Sequence, residues 1–262
     1  MIDVHLHLLP GVDDGPPDLA AALALARECV ATDTPLVVTT PHVDDWTRAV
    51  LPDAADVRAR VALLREELDR ADISLRVVPG GEAFLAPELP RQVREGRVPT
   101  IGETHWLLVE TPVGQRPLYL DQVFFELLAE GITPLLAHAE RYGWLTPDSL
   151  ATLVSHGVRV QVTASALTGQ RGRRQRALAE TLVRRGLAQV IATDRHKADS
   201  GATLPEGYAA AAALVGEARA HALVETNPGR ILADQEIPVE LDDEQERASA
   251  RPRSWLDRWR GR

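Results

Sequence analysis

The stretch that decides the fold is the first fifteen residues, MIDVHLHLLPGVDDG, Met1–Gly15. Alternate side chains of an extended strand share a face, so His5 and His7 should lie together on the polar side of a strand that is apolar on the other. A turn with two aspartates, Asp13 and Asp14, follows. Imidazoles beside a carboxylate are donors that divalent transition metals prefer. The competing interpretation is a surface strand with two incidental histidines. The residues at the ends of the other predicted strands distinguish the two interpretations.

The composition is that of an ordinary globular protein. The chain has 262 residues, of which 45% are hydrophobic and 26% charged, and a single α/β barrel of roughly 250 residues would use nearly all of it. The formal net charge of -9 argues against nonspecific binding to nucleic acid or to an anionic membrane. One cysteine excludes an intramolecular disulfide, and neither a signal peptide nor a membrane-spanning run is recognisable. We therefore expect a cytoplasmic protein without an integral membrane segment, and homo-oligomer formation stays open.

Short β-rich segments alternate with helical stretches along the chain. Seven segments read as strands, over residues 2–8, 36–40, 75–78, 106–109, 133–137, 158–162 and 189–193. Helical patterns occupy residues 18–30, 53–70, 118–130 and 173–185. Such alternation predicts parallel strands with helical crossovers, and hence an α/β barrel or a doubly wound sheet.

Metal-ligand residue types gather where the predicted strands end. Six of the seven strands end at His, Asp or Glu, and in a β/α barrel these ends open onto the face that carries the active site. The candidates are His5, His7, Asp14, His42, Glu82, Glu110, His138, Asp194 and His196. One zinc-like ion takes about four protein ligands, so this set suits a cluster of two or three metals. The other three histidines, His105, His156 and His221, fall in loops or helices, where we expect them to be solvated.

A set of motifs in fixed order carries a resemblance to a known family. HLH, VDDGP, TTPH, GGE, HAERY, ATDRH and a late NPGRIL together resemble the PHP (polymerase and histidinol phosphatase) superfamily, and most closely its bacterial capsule-type protein-tyrosine phosphatases of the CpsB/CapC kind. The resemblance spans about residues 1–237. It implies a distorted (β/α)7 TIM-like barrel with two or three divalent metal ions, manganese or iron first and zinc or magnesium as alternatives. It also implies hydrolysis of phosphotyrosine on the tail of a bacterial tyrosine kinase that controls capsule or exopolysaccharide synthesis.

The resemblance assigns roles to particular residues. Every metal-ligand position of the family carries one of the nine candidates, and Arg141 in HAERY matches the arginine that the family uses at the phosphate. We hypothesise that hydroxide held by the metals attacks phosphorus directly, without a phosphoenzyme, while Arg141 binds the phosphoryl oxygens. The general acid stays open between Asp194 and a metal-bound water.

Two departures from the family pattern bear on the substrate. The family often has proline where this chain has Ala139, and it usually has an arginine a few residues after the final D-x-H, where this chain reads KADSGATLPEG. Arg195 or Arg171 would have to replace that arginine. The second departure leaves the strength or identity of substrate binding open.

Three other functions compete with this hypothesis. A PHP phosphatase of a small phosphomonoester, of the histidinol phosphate or nucleotide type, would share the fold and the metals. A metal-dependent amidohydrolase also opens with H-x-H, but it commonly uses a modified lysine in mid-barrel, and the single lysine here, Lys197, follows the last strand. The third alternative is a weakly active or noncatalytic scaffold that binds a partner.

Several residues outside the ligand set could have either a structural or a functional role. Cys29 lies in an apolar helical stretch without the C-x5-R pattern of thiol-dependent phosphatases, so it should be a packing residue. Trp46 and Trp144 follow two candidate site residues and could stack on a tyrosyl ring, although packing in a loop is the better expectation. Arg116, in the loop 110–117, is a weak candidate for contacting an acidic phosphopeptide.

The composition changes at the end of the chain. We expect a PHP barrel domain over residues 1–237 and a C-terminal tail over 238–262 that is first acidic and then rich in arginine and tryptophan. A disordered extension is the simplest interpretation of the tail. The alternative is a short helix that places Trp255 and Trp259 one turn apart and docks on a neighbouring subunit, a partner or an anionic membrane.

Overall fold

A computed structural model describes residues 1–43 and 52–239. In this part of the chain the strands are β1 Ile2–Leu6, β2 Leu36–Thr39, β3 His42–Val43, β4 Arg76–Pro79, β5 Glu82–Phe84, β6 Trp106–Glu110, β7 Thr133–Leu136, β8 Arg159–Thr163 and β9 Val190–Ala192. The α-helices are α1 Leu19–Ala31, α2 Ala54–Arg70, α3 Leu89–Arg94, α4 Leu120–Ala129, α5 Pro147–Ser155, α6 Ala164–Leu167, α7 Arg173–Arg184, α8 Leu204–Val215, α9 Glu217–His221 and α10 Asn227–Leu232. Single 3₁₀ turns occur at Ile101–Glu103 and Ala139–Arg141, and a π-helical turn spans Ala222–Thr226.

Seven of the nine strands overlap the seven predicted strand segments. The other two, β3 and β5, are short strands that were not predicted; they follow β2 and β4 after interruptions at Thr40–Pro41 and Gly80–Gly81. Pro41 has no N–H for the ladder, and a side chain at Gly81 would lie 2.6 Å from the Pro99 ring, so glycine is required there. The breaks shift the following residues, His42 and Glu82, into a second ladder in which they are paired with each other.

All the ladders are parallel and follow chain order. One sheet has the order β1-β2-β4 and the other β3-β5-β6-β7-β8-β9. A bridge between Leu6 and Arg195 joins the first strand to the segment after the last. There the Asp194 amide donates to His5 at 2.8 Å and the His7 amide donates to Arg195 at 3.0 Å. The predicted distorted (β/α)7 barrel is thus confirmed, with its irregular places next to the candidate ligands.

Several helices begin where the sequence places capping residues. Asp18 and Asp53 cap α1 and α2 through their side chains, so both helices lie within one residue of the predicted ranges. The predicted helices 118–130 and 173–185 correspond to α4 and α7. Helices α5 and α8, which were not predicted, each begin with a threonine capping box followed by proline.

Apolar side chains from strands on several sides meet inside the ring of strands. Val4, Val38, Leu108, Leu135 and Val190 are buried there with Trp106 and Ile237. This packing supports the strands beneath their carboxyl ends. The packing extends to Ile237, near the expected end of the domain. Residues 240–262 lie outside the described chain, so the expected boundary at 238 stays a prediction.

Some sequence-based expectations fall outside the described residues. Trp46 belongs to the undescribed segment 44–51, and Trp255 and Trp259 belong to 240–262. Among the helices that are described, we find none whose length and apolar character would let it cross a bilayer.

Candidate metal centre

The nine predicted ligands meet at the carboxyl ends of the strands. Three groups have ligand atoms that all lie within 4.8 Å of one another: His5, His7, Glu82 and Asp194; His7, Asp14, His42 and His196; and His42, Glu82 and Glu110. His138 joins them, since its Nε2 lies 2.7 Å from Glu82 Oε1 and 4.0 Å from Glu110 Oε2. The structure therefore brings together every residue that the sequence predicted as a ligand.

Glu82 is the central carboxylate of the cluster. Its Oε2 lies 3.2 Å from His5 Nε2, 3.3 Å from His7 Nε2 and 3.4 Å from His42 Nδ1. Its Oε1 contacts His138. One carboxylate that faces four imidazoles with both oxygens can bridge two cations.

Asp194 closes the buried side of the cluster. Its Oδ1 lies 3.2 Å from His5 Nε2 and 3.5 Å from His7 Nε2, while its Oδ2 forms an ion pair with Arg141. Both Asp194 and His138 have left-handed backbones, with φ of 54° and 33°. This conformation is uncommon for residues other than glycine, and it turns each side chain at a strand end.

The outer part of the cluster is open to solvent. Asp14 Oδ1 lies 3.5 Å from His42 Nε2 and 3.3 Å from His196 Nε2, and the Asp14 side chain is 53% exposed. His42 Nδ1 also lies 3.1 Å from Glu110 Oε1. By contrast, the side chains of His5 and His7 are completely buried. A substrate would therefore approach from the side of Asp14, His42 and His196.

Electrostatics link the buried members. Burial favours neutral His5, yet the nearby charges of Glu82 and Asp194 raise its pKa to about 10. Burial likewise opposes ionisation of Asp194, but His5 outweighs it and holds the pKa of Asp194 well below its usual range. The carboxylates thus stay ionised at neutral pH and attract positive charge, whether protons on the imidazoles or metal cations.

Unpartnered atoms test whether the cluster fits metals. His5 Nε2, His7 Nε2, His42 Nδ1 and Glu82 Oε2 are buried without a hydrogen-bond partner among the described residues. Leaving a buried polar atom unpaired costs roughly 1–3 kcal/mol, and here four such atoms converge on one another. Coordination to divalent cations would satisfy all of them, so the residues fit a metal cluster.

Four of the five imidazoles are held through Nδ1, which leaves Nε2 for the cluster. The partner atoms are Gln161 Oε1 at 3.3 Å from His5, Asp13 Oδ2 at 2.6 Å from His7, Tyr142 Oη at 3.2 Å from His138 and the Asp194 carbonyl at 3.0 Å from His196. Such contacts fix the ring orientation and tautomer of ligating histidines.

Asp13 and Gln161 contact the candidate ligands, and the sequence did not single them out for this position. Asp13 also accepts from the His42 amide at 3.0 Å and the Gly15 amide at 2.9 Å. A side chain at Gly15 would lie 3.1 Å from His7 Cβ, so glycine allows this turn to close. Two sequence features could have indicated these residues. Asp13 and Asp14 are adjacent, so their side chains point in different directions and can make different contacts, and Gln161 is a polar residue within the mostly apolar strand β8.

Asp3 does not join the site, although strand alternation would place it on the same face as His5. The ladder between β1 and β2 has a register irregularity between Asp3 and Leu6, which breaks the alternation. Asp3 instead accepts hydrogen bonds from the Thr193 amide and hydroxyl. It fastens β1 to the end of β9.

Gln161 offers a test of ligand positioning. Its Oε1 accepts from the His138 amide at 2.6 Å besides facing His5, so we expect Gln161→Leu to weaken metal affinity about 10- to 100-fold. Calorimetric titration of the metal-free protein with Mn²⁺ measures this, and Gln122→Leu, on the exposed face of α4, is the control. Unchanged affinity in Gln161→Leu would mean that Gln161 does not position the histidines.

Arg141 reaches the cluster from the turn after β7. Its guanidinium contacts Asp194, and the side chain stays 25% exposed. Although burial opposes its charge, the neighbouring Asp194 raises the pKa of Arg141. A permanent cation is thus held beside Asp194, partly exposed to solvent and with further donors available to a phosphoryl group.

Arg195 does not replace the arginine that is missing after His196. It is buried, pairs with Glu28 at 2.6 Å and donates from Nε to the Ser200 carbonyl at 2.8 Å, so it ties the loop after β9 to α1. Its donors thus face Glu28 and Ser200 rather than the cluster. Arg171 lies exposed before α7.

The remaining histidines and aromatic residues lie outside the cluster. His156 and His221 are exposed as expected, whereas His105 is only 22% exposed and pairs with Asp234 at 2.6 Å. Trp144 packs against Tyr142 and donates to the Pro112 carbonyl at 2.9 Å, in agreement with a packing role. Arg116 pairs with Asp121 on the surface.

Cys29 is buried in α1, where burial raises the pKa of its thiol to about 12. The thiolate is therefore negligible at neutral pH. Cys29→Ser should keep the rate of the hydrolysis that the resemblance implies within about twofold of the parent, because a buried thiol outside the cluster takes no part in it. A folded but inactive Cys29→Ser protein would contradict this assignment.

Comparisons with known proteins agree with this geometry. The family model described as "Capsular polysaccharide synthesis, CpsB/CapC" matches residues 1–233. The tyrosine-protein phosphatase YwqE of Bacillus subtilis is 32% identical over 198 residues, 75% of this chain and 77% of that protein. The putative tyrosine-protein phosphatase CapC of Staphylococcus aureus is 30% identical over the same shares of the two chains.

Among solved structures, one resembles this chain in both sequence and fold, whereas another resembles it in fold alone. A structure from a study of YwqE from Bacillus subtilis and CpsB from Streptococcus pneumoniae, described as unique metal-dependent tyrosine phosphatases, superposes with a TM-score of 0.87 and 29% identity, over 92% of this chain and 97% of that one. A β-aspartyl dipeptidase of Fervidobacterium islandicum shares the fold alone, at a TM-score of 0.53 and 13% identity. The chain therefore belongs to the CpsB/CapC family of capsular polysaccharide synthesis.

Proposed function

We propose that the protein is a metal-dependent protein-tyrosine phosphatase that acts in capsule or exopolysaccharide synthesis. The observation that carries the proposal is the convergence of five imidazoles and four carboxylates beside Arg141. A phosphate monoester is among the slowest substrates to hydrolyse without a catalyst. Its hydrolysis requires an activated nucleophile and neutralisation of the charge on the phosphoryl oxygens, and this site can offer both.

The nine residues would hold two or three cations. We propose that His5, His7, Glu82 and Asp194 hold a buried ion, that Asp14, His42 and His196 share an outer one, and that Glu110 and His138 complete the set around Glu82. Mixed imidazole and carboxylate donors suit manganese or iron, with zinc or magnesium as alternatives. When bound, such ions lower the pKa of water and neutralise charge on phosphoryl oxygens.

The chain's own residues would bind and orient the substrate. Arg141 would hold two phosphoryl oxygens with its planar guanidinium, and its ion pair with Asp194 fixes it toward the cluster. Asp13, Gln161 and Tyr142 hold the imidazoles in one orientation, so the ligand atoms need not reorganise during the reaction. Asp194 stays ionised at neutral pH, because its pKa lies well below the usual range and its Oδ2 pairs with Arg141. We therefore propose it as a metal ligand rather than as the acid that protonates the leaving phenolate.

The substrate class distinguishes this proposal from the small-molecule alternative. We propose that the substrate is phosphotyrosine on the tail of a bacterial tyrosine kinase in the cytoplasm, because the relatives are named tyrosine phosphatases. The test compares kcat/KM for a phosphotyrosine peptide and for histidinol phosphate, with Mn²⁺ and with EDTA. We expect metal-dependent turnover that favours the peptide; preference for histidinol phosphate would overturn the substrate, and absence of turnover on any phosphomonoester would favour a scaffold.

Metal binding should release protons and strengthen as pH rises. The pKa of His5 is raised to about 10 in the metal-free protein, so its imidazole is charged at neutral pH and must lose a proton to become a ligand. We expect the affinity for Mn²⁺ to increase between about pH 6 and pH 8. Calorimetry in two buffers of different ionisation enthalpy should detect at least one proton released per protein, and equal affinity at both pH values would contradict the assignment of His5.

A further inference from the structure

A polar groove adjoins the metal centre on the side of Arg141. It has a volume of about 360 Å³ and lies between the segment 140–145 and the face of α7 that carries Arg174, Gln175 and Leu178. Arg141 lines the groove and also contacts Asp194 in the cluster. A substrate whose phosphate reached Arg141 could therefore place a neighbouring part of itself in the groove.

Two residues that line the groove, Glu140 and Gln175, each carry a buried acceptor without a hydrogen-bond partner. Glu140 is 3% exposed; its Oε1 accepts from Thr163, whereas its Oε2 has no partner among the described residues. Gln175 Oε1 is likewise buried and unpaired within the described chain. Unpaired buried acceptors are costly, so this wall of the groove is not optimised for stability alone.

Positive charge collects along the same side. Arg171, Arg173, Arg174 and Arg176 lie within six residues, exposed at the start of α7. Within residues 1–43 and 52–239, only Arg176 of these four has a carboxylate partner, Glu180 at 2.7 Å, and the first turn of α7 has no acidic residue. Cations at the positive end of a helix cost about 0.3–1 kcal/mol each. The repulsion among these arginines and the helix N-terminus is therefore unfavourable, and a bound anion would reduce it.

We propose that this groove is the subsite for the peptide segment that flanks the phosphotyrosine, and that it selects acidic side chains through Arg174 and Arg171. The inference rests on the proposed function and specifies its substrate. Arg174 is the key residue, because it lines the groove and donates to the Gly143 carbonyl at 3.1 Å, next to Arg141. In this way α7 would replace part of the substrate binding that the missing arginine after His196 would supply.

The test uses the full chain with Mn²⁺ and two phosphotyrosine peptides that differ only in flanking glutamates or glutamines. We expect the glutamate peptide to have a roughly tenfold higher kcat/KM at low salt, and the preference to shrink as salt screens the charges. Arg174→Glu should abolish the preference mainly through KM, and Arg171→Glu should reduce it. Both positions are on the surface, so thermal unfolding and metal content will show that the variants remain folded and loaded.

Arg184→Glu is the matched control, because it makes the same charge change about 15 Å further along α7 and should keep the preference. A wild type without preference, or a preference that survives Arg174→Glu and Arg171→Glu, would overturn the subsite. A different result would contradict the proposed function itself: a wild type that, with Mn²⁺, hydrolyses neither peptide nor para-nitrophenyl phosphate.

Discussion

Glu82→Gln is expected to lower phosphatase activity by at least about 1000-fold, since it removes the charge that faces four imidazoles, and metal ions supply several kcal/mol of transition-state stabilisation. Glutamine keeps the shape of the side chain, so the fold should survive. Metal analysis of the purified variant should show a lower content than in the parent. The loss of activity should therefore follow the loss of metal.

Glu88→Gln is the control for this change. Glu88 is exposed at the start of α3 and caps nothing through its side chain, so both metal content and turnover should match the parent. A Glu82→Gln protein that retains full metal content and full activity would remove Glu82 from the centre of the site.

Arg141→Ala is expected to lower kcat/KM about 100- to 1000-fold, the range for removing a group that stabilises developing charge. Unlike the Glu82 variant, it should keep its metals, because Arg141 contacts the cluster through Asp194 and offers no ligand atom. Arg141→Lys should recover only part of the loss, since an ammonium cannot hold two oxygens with a planar fork.

The readouts for Arg141 are steady-state kinetics and metal content measured on the same samples. Arg27→Ala, on the exposed face of α1, controls for loss of a surface arginine. Turnover of Arg141→Ala at the parental rate would exclude Arg141 from phosphate binding.

The fold could largely be predicted because its periodicity is local. Alternating β-rich and helical segments predict parallel strands, and Asp18 and Asp53 mark helix starts within one residue. The predicted strands ended correctly near Thr40 and Val78, but the short strands β3 and β5 that follow were not predicted, because strands of two or three residues leave no periodic pattern and only the ladder pairing reveals them.

The site could be predicted as a set of residue types at strand ends, but its support could not. Gln161 acts on His5 across 156 positions of sequence, and such pairs depend on the closed arrangement of strands. Asp13 and Asp14 are neighbours of one type with different tasks, one holding His7 and the other facing His196. Only the buried contact of Arg195 with Glu28 shows that Arg195 does not replace the missing arginine after His196.

Nine side chains distant in sequence should bind several cations together, and anomalous X-ray diffraction from crystals of the manganese-loaded protein tests this most directly. We predict two or three anomalous peaks, each within coordination distance of Glu82, Asp194 or Asp14 and their neighbouring imidazoles. A fully loaded crystal with no peak among these residues, or with its metal bound elsewhere, would contradict the account.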